Sequence, residues 1–292
     1  MDFNENYIKN LLPKRAENSH KGTFGHVLNI AGSGFYSGAA YFSSLAALKV
    51  GCGRITLASC STVIKTVSAL SPDIILLSLE ETASKTVSPK ALKKLTAKTS
   101  DYDAISIGCG ISTDKETTKF FKGILENLKQ SEIPVVIDAD GLNILSSFVI
   151  NEVEKLPLNT ILAPHPMELS RLMKISVENI LLQPEFWAKM CCDKYDCITI
   201  LKTHKTVVSD NKGHLYVNNT GNSALAKGGS GDVLTGMITG LLAQGLKPFD
   251  AAILAVYLHG KTGEIASEEL GEYSVLASDL LNYIHLAIKT LL

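Results

Sequence analysis

No apolar run in the chain approaches the ~18 residues that a membrane-crossing helix needs. The opening stretch, MDFNENYIKNLLPKRAENSHKG, lacks the apolar centre of a secretory leader, so a cytoplasmic protein is expected. Cysteine is sparse and unpatterned. Cys52, Cys60, Cys109, Cys191, Cys192 and Cys197 form no C-x-x-C pair and no zinc-like spacing with histidine. Buried thiols in a reducing compartment are the expectation, with a redox or metal role as the alternative. An excess of one charge sign is missing too. Lys and Arg number 28 against 29 Asp and Glu and are spread along the chain, which excludes a dedicated nucleic-acid surface and leaves any phosphate affinity local. No Pro- or Ser-rich linker and no repeat interrupts the sequence, so a single domain over 1–292 is expected.

What is present is an alternation of short apolar runs and helical stretches. HVLNIA (26–31), RITLA (54–58), DIILLSL (73–79), DAISIG (103–108), PVVIDAD (134–140), TILAP (160–164) and CITILK (197–202) read as strands. They lack strict alternation, which predicts burial on both faces and a mostly parallel sheet within an α/β/α layer architecture. Helices are expected at about 39–50 and 114–129, with two more between TILAP and CITILK. TVVSD (206–210) and HLYVNN (214–219) read as a hairpin, followed by helices near 232–244, 248–269 and 276–290. Gly245 suits the left-handed position after the first of these, and Pro248 the start of the next.

In such sheets ligands bind beyond the carboxyl ends of the strands. Gly32, Ser33, Gly34 and Gly38, then Gly108, Cys109 and Gly110, then Asp138 and Asp140, then Pro164, His165 and Pro166, and finally Lys202 to Thr206 all follow strands. One cleft is therefore expected. GSGFYSG departs from the dinucleotide fingerprint, because its third glycine is one residue late and no acid ends RITLA, so a hydride-transfer Rossmann enzyme is the weaker reading. A turn with close helix–strand packing explains these glycines equally well. His165 stands between two prolines and is presented from a stiff loop, for a ligand contact or a structural hydrogen bond. Glu168 and Arg171, three apart on the next helix, read as a surface ion pair.

KGGSGDVLTGMITGLLAQG (227–245) carries the strongest chemistry. Gly228, Gly229 and Gly231 can turn bare backbone N–H groups towards an anion, and the helix start adds its positive end. No Walker sequence exists in the chain. An acid beside a phosphate seat gains nothing from the phosphate, but it can take the proton of a substrate hydroxyl, a role worth about 10²–10⁴-fold. The alternative for Asp232 is simple N-capping, which leaves the glycines unexplained.

With SHKGTFG, DADGLN, LAPHPMELSRL, TGNSALAKGGSGDVLTGMITGLLAQG and VYLHG in order, the chain resembles the ribokinase-like superfamily and, within it, the ADP/ATP-dependent NAD(P)H-hydrate dehydratases of stand-alone bacterial type. The resemblance runs from residue 19 to the final helix. It implies a ribokinase-like three-layer fold and ADP-dependent repair of the S form of hydrated NADH or NADPH, releasing AMP and phosphate. It further implies Asp232 as base, with Ala39, Gly110, His165 and Asp232 on the hydrate. Lys202, Thr203, His204, Lys205, Thr206, Asn222, Gly228, Gly229, Ser230 and Gly231 would bind the nucleotide, ADP with ATP as alternative. Mg²⁺ with unassigned ligands and a homotetramer also follow from the resemblance. Two residues depart from the family pattern. Cys109 replaces proline in Gly-Pro-Gly, which loosens that loop and brings a thiol towards substrate. Met167 replaces the glycine after Pro-His-Pro, adding bulk beside His165. A ribokinase-like kinase for a vitamin-precursor alcohol, of hydroxymethylpyrimidine or hydroxyethylthiazole type, is the competing reading; a nucleotide-sensing protein without turnover would keep the glycines and not need Asp232.

Overall fold

The computed structural model describes residues 3–148 and 156–292. In chain order it forms α1 (Glu5–Leu11), β1 (His26–Ile30), α2 (Ser37–Lys49), β2 (Arg54–Cys60), α3 (Ser61–Leu70), β3 (Ile75–Leu79), α4 (Leu92–Thr96) and β4 (Ala104–Ile107). Next come α5 (Lys115–Leu128), β5 (Val135–Ile137), α6 (Asp140–Ser147), β6 (Thr160–Leu162), α7 (Pro166–Met173), α8 (Val177–Leu182) and α9 (Pro184–Tyr195). β7 (Ile198–Leu201), β8 (Val207–Ser209), β9 (Leu215–Val217), α10 (Ser230–Ala243), α11 (Pro248–Leu270) and α12 (Ala277–Lys289) complete it.

The nine strands make one sheet in the order β3-β2-β1-β4-β5-β6-β7-β8-β9. β1 to β7 pair in parallel, and β8 and β9 add an antiparallel hairpin at the edge. Strands β4, β5 and β6 are buried along their whole length, as continuous apolar runs require when helices cover both faces. α2, α3, α10, α11 and α12 pack against one another as one helical layer, while α5 to α9 form the other, giving the expected three-layer ribokinase-like architecture. The amphipathic α5 shows how the second layer is held: Asp114 caps its first turn, and Phe120, Phe121, Ile124, Leu125 and Leu128 are buried along one stripe.

The sequence-derived elements fall within a few residues of those observed, with two differences. Three helices, α7, α8 and α9, occupy the stretch where two are expected, because Ser176 and Pro184 each start a new one. Helices α1, α3, α4 and α6 have no counterpart in the sequence reading; α4, with five residues, is too short to show a periodic stripe, and α6 begins directly on the DAD motif. All six cysteines are buried and free. No helix among the described residues is long and apolar enough to cross a membrane.

Strand order reverses between β1 and β4, the place where an open parallel sheet leaves a crevice. Here the turn after β1 and the turn after β4 lock together, the Gly32 amide donating to the Cys109 carbonyl at 2.8 Å. Gly108 has φ +132°, and a Cβ on it would lie 2.0 Å from the Asp138 carbonyl oxygen, so no other residue fits between the β4 and β5 turns.

Candidate active site

β1, β4, β5, β6 and β7 are consecutive neighbours, so the residues expected to line one cleft do end on one edge of the sheet. At its centre is Asp138, 1% exposed, directly after β5. One of its oxygens accepts from Lys202 Nζ at 2.6 Å and from the Ala139 amide at 2.7 Å; the other accepts from Thr235 Oγ1 at 2.6 Å. Lys202 closes β7 and also lies 3.9 Å from Glu168. Burial works against the Lys202 charge, but Asp138 and Glu168 outweigh it and hold the ammonium above the ordinary lysine range. Lys202 therefore stays a cation throughout the neutral range.

That cation adjoins the glycine turn. A Cβ on Gly231 would stand 3.6 Å from Lys202 Nζ, and one on Gly228 would meet nothing within 4 Å. Gly229, the N-cap of α10, has φ +93°, and a Cβ there would press on Phe42 and Ala277 at 2.8 and 2.9 Å. The turn is thus packed below and open above. Among the described residues no backbone carbonyl accepts from the amides of Gly228, Gly229, Gly231 or Asp232, whereas the Ser230 amide donates to the Lys227 carbonyl. Unpaired amides at a helix start, with an ammonium alongside, form an anion seat.

Asp232 lies in the first turn of α10 and does not cap it; the N-cap is Gly229, which removes the capping explanation. Burial, with the Asp138 and Asp140 charges adding to it, pushes the Asp232 carboxyl up to about 6, against the pull of the Cys109 thiol and Lys202. A carboxylate held near that value accepts a proton far more readily than an exposed one. Cys109 is 1% exposed, so its thiol faces Asp232 inside the protein and not an open pocket; burial and the nearby Asp232 carboxylate push it well above the usual thiol range.

The Glu168–Arg171 surface pair is not formed. Glu168 is 5% exposed and accepts from the His165 amide at 2.8 Å, while Arg171 donates to Asn143 Oδ1 at 2.7 Å. Glu168 and His165 instead build a capping box at the start of α7, with His165 Nδ1 accepting from the Met167 and Glu168 amides. That leaves Nδ1 unprotonated and Nε2 facing Glu168 at 3.3 Å. Burial, helped by Lys202, lowers the His165 pKa, consistent with a neutral ring, whereas burial pushes Glu168 up to about 7. Structural work thus occupies Nδ1, although the ring remains 47% exposed and Met167 projects outward beside it.

The other expected residues follow β1, β4 and β7 or precede the glycine turn in the chain. A Cβ on Gly110 would lie 3.0 Å from that of Ala39, so the two line one wall. Thr203, His204, Lys205 and Thr206 form the turn between β7 and β8, with His204 and Lys205 exposed. Asn222 spends its side chain internally, accepting from the Ala224 amide and donating to Ser267. His259, in VYLHG on α11, was not singled out from the sequence: its Nε2 lies 3.0 Å from the Ser230 carbonyl and 3.1 Å from its hydroxyl. Burial pulls it down to about 4, so it stays neutral and pins the glycine turn from below. A histidine inside an otherwise apolar helix was the available signal. Thr235 gave none.

Comparison with known proteins bears on what this seat serves. A family described as NAD(P)H-hydrate dehydratase matches residues 27–286. The ADP-dependent (S)-NAD(P)H-hydrate dehydratase of Neisseria meningitidis is 36% identical over 259 residues, covering 88% of this chain and 82% of that one. The enzyme of the same name from Bacillus subtilis is 32% identical over 278 residues, 95% and 94% of the two chains. The bifunctional NAD(P)H-hydrate repair enzyme of Moorella thermoacetica is 35% identical over 286 residues, but this chain spans only 53% of it, about half its length. Among solved structures, the Bacillus subtilis ADP/ATP-dependent NAD(P)H-hydrate dehydratase co-crystallised with ATP/Mg²⁺ superposes with a TM-score of 0.86 at 30% identity, covering 99% of this chain and 98% of that one. The hydroxyethylthiazole kinase of Pyrococcus horikoshii, at 14% identity and TM-score 0.63, shares the fold alone. With the match extending from β1 into α12, the chain belongs to the NAD(P)H-hydrate dehydratase family.

Proposed function

We propose that the chain catalyses the ADP-dependent dehydration of the S form of hydrated NADH or NADPH, returning NAD(P)H with AMP and phosphate. The observation that carries this is the placement of the Lys202 ammonium, the free amides at Gly228, Gly229 and Gly231, and the Asp232 carboxylate around one turn. The terminal phosphoryl of the nucleotide sits on those amides, and Lys202 neutralises charge that builds up as it moves. Asp232 takes the proton from the substrate hydroxyl as its oxygen bonds to phosphorus and the phosphoanhydride breaks. Hydroxide is a poor leaving group and phosphate a good one. The ring-nitrogen lone pair then expels phosphate as the carbon–oxygen bond breaks, and loss of the neighbouring ring proton restores the double bond.

Ala39 and Gly110 line the hydrate side, with His165 at its margin. Lys202 to Thr206, Asn222 and the 228–231 turn hold the nucleotide, Asn222 through its backbone. Among the described residues no group of three or more His, Cys, Asp or Glu side chains could hold a metal ion, and both Asp138 oxygens are engaged. The described residues do not form a resident metal site. Mg²⁺ belongs to this reading as the companion of the nucleotide, where phosphate oxygens and water supply most of its ligands. A cytoplasmic homotetramer completes the proposal; exposed Leu181, Leu182, Phe186 and Met190 on α8 and α9 support self-association, which light scattering reads directly.

The deciding assay mixes the purified protein with hydrated NADH, Mg²⁺ and ADP and follows the return of NADH absorbance. Silence with both ADP and ATP, together with phosphorylation of hydroxymethylpyrimidine or hydroxyethylthiazole, transfers the function to a vitamin-precursor kinase.

A further inference from the structure

Asp138 is a buried acid whose two oxygens serve different elements. Its Oδ1 holds Lys202 Nζ at 2.6 Å, at the end of β7. Its Oδ2 holds Thr235 Oγ1 at 2.6 Å, on α10 three residues beyond Asp232 and so close to one turn away. A carboxylate is costly to bury unless it is paired and hydrogen-bonded, and this one is paired to the two elements that carry the cation and the base. The adjoining backbone is strained in its service. Ala139 has φ +50° and ψ −121°, a conformation rare outside glycine, with its amide tied to Asp138 Oδ1.

We propose that Asp138 is a positioning residue for the reaction: one oxygen aims the Lys202 ammonium at the glycine turn, and the other moors α10, and with it Asp232, to the sheet. The proposal rests on the reading of Asp232 as base. Asp138 is 1% exposed with both oxygens engaged, so it acts through its two partners. Its charge also reaches Asp232, which is faced by Asp138 from β5, Asp140 from α6, Lys202 from β7 and the Cys109 thiol from the turn after β4. Glu168, on α7, stands behind Lys202.

Asp138→Asn keeps the shape and removes the charge. It is expected to lower kcat by about 10²-fold, the scale of a small misplacement of reacting groups, with nucleotide affinity retained. Because a negative neighbour of Asp232 is gone, the acidic limb of the kcat/KM profile is expected to move to lower pH by about half a unit or more. Thr235→Val, which cuts the mooring and leaves the charge, is expected to lower kcat with the limb in place, and Thr235→Ser to restore it. Wild-type kcat in Asp138→Asn overturns the proposal. So does a lowered kcat with an unmoved limb, the signature of structural damage alone. If Asp138→Asn does not fold by circular dichroism, the threonine pair decides, and unaltered turnover in Thr235→Val overturns the mooring. Asp232→Asn, measured alongside, separates the two readings: if it is active the base assignment fails, and if it is inactive while Asp138→Asn is normal only the positioning role fails.

Discussion

Asp232 makes two demands on its surroundings that pull in opposite directions. As the proposed base it must be ionised to take a proton, yet burial pushes it up to about 6, above its ordinary 3.8. Turnover is therefore expected to fall as pH drops below about 6, and Asp232→Asn to lose at least about 10²-fold in kcat while still binding nucleotide in a calorimeter. The folded protein binds this proton more readily than the unfolded chain, so the stability contributed here declines as pH rises from about 4 to about 6. At pH 8 the ionised acid costs about 1–3 kcal/mol. Asp232→Asn should then melt higher than wild type at pH 8 and no higher at pH 4, and an unchanged melting point at pH 8 removes the burial argument. His165 poses a different choice. Its ring caps α7, so His165→Ala is expected to cost about 0.5–2 kcal/mol by urea denaturation. His165→Ser, which restores a cap, should recover that stability; a KM for the hydrate that stays raised in His165→Ser identifies ligand contact as a separate role.

At the scale of elements, the site depends on how closely α10 lies on α2. Gly236 and Gly240, one turn apart on α10, let the two backbones meet. A Cβ on Gly236 would come within 2.1 Å of the Ser43 carbonyl oxygen, and one on Gly240 within 2.7 Å of that of Ala47. Gly236→Ala must push the helices apart and is expected to cost about 1–3 kcal/mol, with a comparable loss of activity as Asp232 shifts. Gly245→Ala meets no atom within 4 Å and pays only for φ +90°, about 1–2 kcal/mol. Chemical denaturation with parallel kcat measurement checks the pair: stability falls in both, and activity falls in Gly236→Ala alone. The sequence displays T-G-M-I-T-G openly, but only the packing shows that these glycines serve the helix interface and that 228, 229 and 231 serve the seat.

At the scale of the whole molecule the seat lies on the carboxyl edge of the sheet, where the start of α10 adjoins Lys202 after β7 and Cys109 after β4. On the proposed reading, nucleotide bound there would bridge elements far apart in sequence and bind only the folded chain. At a concentration of about 100 times Kd it should add about 2.7 kcal/mol to stability. A thermal shift with ADP or ATP that vanishes in Lys202→Met, whose own fold is confirmed by circular dichroism, checks that the ligand sits beside this ammonium; a shift that persists undiminished places it elsewhere.

The α/β class, the strand runs, the hairpin and the glycine turn were legible because each rests on residues adjacent in the chain: apolar runs, turn chemistry and a helix start. So were the family motifs, which are local strings. The partners of Asp138 were not, for Lys202 and Thr235 are 64 and 97 residues away and meet it only once β5 and β7 lie either side of β6 and α10 settles over the sheet. Glu168 reads as a surface charge from its spacing to Arg171, yet folding turns it inward to the His165 amide and Lys202. Sequence by itself determined which groups can carry charge and bare amide, because those are properties of single residues and their neighbours. Only the tertiary structure decided which of them share a dry site, since burial and distance, the two quantities that set the strength of a charge, belong to the folded sheet and not to the chain.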